Sequence, residues 1–195
     1  MSDLTDRLDD SSFGPFTPFV QDKGRLSSYF ALLRLHYDRA ERTFRLIREA
    51  AKAPDAERFT VLLLRDRDWR RSLVGAVAAC YMPTPTVIEE VWQCVDAGSW
   101  VSPQLLAVLS VIDRAFADRA LQRLREHESR STGDQRYSYA KSASSIIALL
   151  LQHASDHERA TYWEGNQAMR KILVDDIANG GAIATSWKTN LNDVP

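Results

Sequence analysis

A chain of 195 residues with 45% hydrophobic content is long enough to bury one core and short enough to be one domain. Its 25 basic residues against 26 acidic ones leave a formal charge of −1, which excludes the overall basic excess that favours nucleic acid or anionic membranes and leaves room only for a local basic face. The two cysteines, Cys80 and Cys94, match no zinc or redox spacing, and no apolar run approaches the roughly 18 residues of a membrane span, so a water-soluble protein with reduced thiols is expected.

MSDLTDRLDDSS, at the start, carries acidic residues and no apolar run, the opposite of a secretory leader, and a cytoplasmic location is the expectation. Residues 1–24 read as an irregular arm, because Pro15 and Pro18 in FGPFTPFV remove backbone donors. Phe13, Phe16 and Phe19 either clamp across the first helices or meet a partner. From Leu26 the apolar period is helical: Leu26, Tyr29, Phe30, Leu33, Tyr37, Ala40, Phe44, Ile47 and Ala51 form one stripe along a long helix. Pro54 opens a second helix with Phe59, Leu62 and Leu63 inward. A third covers DRDWRRSLVGAVAACY, and Thr84 with Pro85 gives the cap and first turn of a fourth carrying Val87, Val91, Trp92 and Val95.

The fourth helix ends in DAGSWVSPQL. Gly98 suits the left-handed residue that closes a helix, Ser102 and Pro103 suit the start of the next, and Trp100 either fills the seam or faces a partner. A helix with Leu105, Leu106, Leu109 and Ile112 passes through Asp113 into one with Phe116, Ala120, Leu121 and Leu124. HESRSTGDQR reads as a loop, two further helices follow up to about residue 178, and the tail 179–195 with Trp187 is irregular. The fold class is all-α, with about seven to eight helices in a single domain over residues 25–178 and no strand pattern.

An offset of 47 residues lays LLLRDRDW on LSVIDRAF, placing Leu62 on Leu109, Asp66 on Asp113, Arg67 on Arg114 and Trp69 on Phe116. The same offset puts Trp92 on Tyr139 and Phe116 on Trp163, with the third copy degenerate. This spacing lies at the upper end of the HEAT and armadillo range. An aspartate at the turn, then an aromatic residue and arginines, resembles a HEAT repeat over about Ala53 to Leu124. The resemblance implies an α-solenoid or irregular right-handed helical array, with Trp69 and Phe116 in the core and the aspartates capping helix starts. A non-repetitive helical bundle is the competing arrangement.

Eight scattered glycines form no phosphate-binding loop. His153 and His157 in HASDH are four apart, as metal-binding histidines on a helix can be, but Asp156 stands where a longer glutamate is needed and Ser155–Asp156 reads as a helix start. Tyr137 and Lys141 share the spacing of short-chain dehydrogenases without the sheet or glycine loop that family requires. No catalytic set, metal or cofactor is therefore expected. Asp66, Trp69, Arg70 and Arg71 contain the residue types that HEAT-like DNA glycosylases place around an extruded nucleotide, although the basic excess for a duplex groove is lacking. Non-catalytic protein binding is the leading expectation, since stacked helices work through their surface. LLLRDRDW with RRSL, and the GSWVSPQL joint, loosely resemble bacterial helical-repeat immunity proteins, which implies a toxin as partner. An adaptor or scaffold role is the other protein-binding reading. The candidate contacts are Trp100, Arg70, Arg71, Phe16 and Trp187, because tryptophan and arginine dominate interface hot spots.

Overall fold

The structure, a computed structural model, describes residues 10–21, 28–34, 37–66, 68–99, 101–130 and Lys188. Within them it is all-helical, with no strand. A 3-10 segment, Asp10–Phe16, leads into α1 (Thr17–Gln21), α2 (Ser28–Arg34), α3 (Tyr37–Ala50), α4 (Ala56–Arg65), α5 (Trp69–Tyr81), α6 (Pro85–Asp96), α7 (Ser102–Ile112) and α8 (Phe116–Arg130).

The expected irregular arm is helical in part, and the reason lies in where its prolines fall. Pro18 is the second residue of α1, where a backbone N–H would have no partner within the helix anyway. Phe13 and Phe16 are fully buried and Phe19 nearly so, which removes Phe16 from the set of exposed contacts and makes the arm part of the core. Their three rings and Val20 close over α2, α4 and α5. The stripe predicted for one long helix is carried by α2 and α3, with residues 35–36 outside the described set.

Sequence signals at the helix ends hold with small shifts of frame. Thr84 accepts from the Val87 N–H at 3.3 Å, and Pro85 is the first residue of α6. Gly98 takes φ +75°, the left-handed conformation that ends α6 after Ala97. At α7 the cap is Val101 rather than Ser102, whose hydroxyl turns back to the Ser99 carbonyl at 2.6 Å. α4 starts at Ala56 after Asp55, leaving Pro54 in the preceding turn. Of HESRSTGDQR, predicted as a loop, the residues up to Arg130 are helical, since α8 runs through Arg130, and the rest lie outside the described residues. Charged residues are good formers of a solvated helix, and Gly133 is the first strong breaker in that stretch.

α5 is buried at every position from Ser72 to Ala79, and α7 at every position from Ser102 to Leu109. Burial on all faces marks helices enclosed by their neighbours. α5 packs on α4 and α7, and α6 packs on α4 and α7, so these four helices form the centre. α4 ends at Arg65 and α7 at Ile112, while α5 begins at Trp69 and α8 at Phe116; both pairs keep the 47-residue offset.

At the end of α5, burial pushes the Cys80 thiol up to about 12 and the Tyr81 phenol also up to about 12. Both groups are held neutral in the fold, whereas an unfolded chain ionises them from about pH 9 upward. Their contribution to stability is therefore complete below pH 9 and lost as pH rises toward 12. Urea midpoints are expected to fall steadily above pH 9, and Tyr81→Phe with Cys80→Ala is expected to flatten that fall. An unchanged alkaline slope in the double variant would show that other groups control it.

Candidate functional site

The turn between α4 and α5 gathers the first group of sequence-predicted residues. Asp66 closes α4, and Asp68 rather than Asp66 caps α5, its Oδ1 accepting from the Arg70 N–H at 2.8 Å. The helix starts at Trp69, and only the residue immediately before it can offer a side chain to the second N–H of the helix. Asp66 is thereby free to pair with Arg71, whose guanidinium lies 4.8 Å from the centre of the Phe13 ring. Arg71 thus ties the arm to this turn, with only 19% of its side chain exposed.

Arg70 points the other way. Its guanidinium sits 4.7 Å from the Trp69 ring centre and 5.3 Å from that of Tyr29, and 3.2 Å from Asp68. Trp69 meets Tyr29 edge-on at 5.4 Å and Phe30 at 6.0 Å. Trp69 is half-buried rather than in the core, as are Phe30 and Arg70, while Tyr29 is buried beneath them. The result is an aromatic cluster at the surface with an arginine already laid on it.

The second turn, between α7 and α8, carries a similar Asp–Arg–ring arrangement around a more deeply buried aspartate. Asp113 Oδ1 accepts from the Ala115 N–H at 2.9 Å, and its Oδ2 accepts from Trp92 Nε1–H at 2.7 Å. Arg119 pairs with the same Oδ2 at 3.2 Å and also with Glu89. Trp92, fully buried, stacks on Phe116 with ring centres 5.8 Å apart, and the Arg123 guanidinium lies 4.1 Å from its ring centre. Phe116 is a core residue as predicted.

Between the C-terminal ends of α4 and α6 lies a cleft of about 380 Å³. Leu64, Arg65, Gln93, Cys94 and the Gly98 turn line it, with Glu90 among them and Ser72 from α5. Glu90 is 5% exposed. Arg65 donates Nε–H to its Oε1 at 2.9 Å and places Nη2 on the same oxygen, and these bonds hold the guanidinium above its usual value. The Cys94 thiol donates to the Leu64 carbonyl at 2.9 Å, and the Ser72 hydroxyl to the Asp68 carbonyl at 3.0 Å. Sequence reasoning missed this site. Its signal was the position of Glu90 on the same helix face as Val87 and Val91, where a charge needs a partner.

Of the predicted contacts, Arg70 and Arg71 share one turn but face different neighbours, and Phe16 is inside the core. Trp100 and Trp187 lie outside the described residues, as do His153, His157, Tyr137 and Lys141. Among the described residues no three His, Cys, Asp or Glu side chains are grouped to hold a metal ion, and no helix is long and apolar enough to cross a membrane. Comparison with protein-family models, with curated proteins and with solved structures finds no match to this chain.

Proposed function

We propose that this chain is a non-catalytic, protein-binding helical-repeat protein, and in its most specific form a cytoplasmic immunity protein that occludes a toxin. The observation that carries the binding reading is the pair of half-buried surface rings, Trp69 and Phe30, packed on the buried Tyr29, with Arg70 laid against Trp69 and Tyr29. Tryptophan, tyrosine and arginine are the residues that dominate interface energetics, and side chains already fixed by one another lose little freedom on binding. The repeat reading is supported by the matched helix ends and by the turn aspartates Asp66 and Asp113, all at the 47-residue offset. α5 and α7 are enclosed, so the proposed contact is the cluster formed by α2 and the start of α5 rather than a groove along the central helices.

Arg70 is the residue to test, because 42% of its side chain is exposed and its pairing with Asp68 contributes under about 1 kcal/mol. Co-expression with the product of an adjoining toxin gene is expected to rescue growth. Arg70→Glu is expected to lower affinity for that product at least about tenfold, a loss of about 1.4 kcal/mol, while leaving thermal stability near that of the parent. No rescue and no co-purification would remove the immunity reading; rescue untouched by Arg70→Glu would move the contact elsewhere.

A further inference from the structure

We propose that the cleft between the ends of α4 and α6 is a binding site for an alkyl cation, a guanidinium or ammonium group, with Glu90 as its anchor. This site stands independently of whether the partner is a toxin. The first support is the asymmetry of the Arg65–Glu90 pair: the glutamate side chain is 6% exposed and the arginine side chain 62%. A buried carboxylate needs a cation at all times, whereas an exposed guanidinium can turn into water at little cost.

The second support is how the pair is made. Among the described residues both Arg65 bonds fall on Oε1, and none is made to Oε2 of Glu90. A planar fork that could bridge both oxygens leaves one of them free for a second donor. The surrounding groups favour the same charge. Leu64 and Arg65 belong to the last turn of α4, and Gln93 and Cys94 to the last turn of α6, where the helix dipoles place partial negative charge. α5 enters through Ser72, whose hydroxyl hydrogen is committed to the Asp68 carbonyl and so is not offered to the ligand. Among the described residues, Arg65 is the only cation in the lining.

Size narrows the ligand. A volume of about 380 Å³ is near the lower limit of the roughly 300–1,000 Å³ typical of ligand pockets, room for one side-chain-sized group and not for a nucleotide. An arginine or lysine side chain of a protein and a free alkyl cation share this chemistry.

The test is a titration of the full chain, followed by amide NMR, with Nα-acetyl-arginine N-methylamide, with agmatine, and with the uncharged citrulline counterpart of the first. Saturable shifts over Gln93–Ser99 with either cation, and none with the citrulline compound, are the expected result. Tighter binding of the blocked arginine assigns the site to a protein side chain, and tighter binding of agmatine to a free cation. Arg65→Met frees Oε1 and is expected to tighten binding severalfold. Ala97→Lys puts a positive charge on the exposed rim without touching the pair, and is expected to weaken binding about tenfold, as is Glu90→Gln if it folds. Equal binding of the citrulline compound, absence of saturable shifts, or a folded Arg65→Met that binds no more tightly than the parent overturns the proposal.

Discussion

Replacing Asp113 by alanine is expected to destabilise the protein by about 3 kcal/mol, a fall of roughly 6–12 °C in Tm for a chain of this size. Three groups depend on that carboxylate: the Trp92 indole N–H, the Arg119 guanidinium and the Ala115 N–H. The indole matters most, because Trp92 is fully buried and its donor would be left without an acceptor. Arg119 loses less, since it keeps Glu89.

The apportioning can be checked by substitution. Asp113→Asn keeps an oxygen that can accept from the indole and is expected to retain about half of the stability lost in alanine. Trp92→Phe preserves the stack on Phe116 but removes the donor, so Asp113→Ala is expected to cost less in that background. A coupling of about 1–2 kcal/mol in the Trp92–Asp113 cycle is the expected value for a contacting buried pair. A cycle that closes additively would mean the bond contributes nothing beyond packing, and the second turn would lose its claim to fasten α6 to α8.

What the sequence showed of this fold was local. Thr84–Pro85 and Gly98 could be read directly, because caps and left-handed closures depend on a residue and its immediate neighbours. The all-helical class followed from periodicity in the same way. The turn aspartates were harder: with Asp66 and Asp68 two residues apart, pattern alone gave the cap to the wrong one. Phe16 was misread as a candidate contact because a proline-rich arm carries no period that says which side faces inward. Glu90 and Arg65 are 25 residues apart, and only the packing of α4 on α6 brings them together. The cleft was thus legible at most as a charge out of place on an apolar face.

Gly14 supports the second large prediction, that Gly14→Ala destabilises by about 3 kcal/mol through two separable terms. Its backbone takes φ +52° and ψ −127°, a conformation glycine tolerates and an L side chain does not. A β-carbon there would also collide with the Phe59 ring of α4. The chain has no cheap escape, because releasing the arm would expose Phe13, Phe16 and Phe19, and burial of even one such ring is worth about 1.5–3 kcal/mol. Combining Gly14→Ala with Phe59→Leu separates the terms: the smaller side chain is expected to recover the steric part and leave the backbone part of about 1–2 kcal/mol. Hydrogen exchange adds the location. If the arm loosens, amides of α1 should lose protection before those of α5. A Gly14→Ala protein that melts with the parent and exchanges like it would show that the kink between Phe13 and Pro15 relaxes freely, and the arm would then not be part of the core it covers.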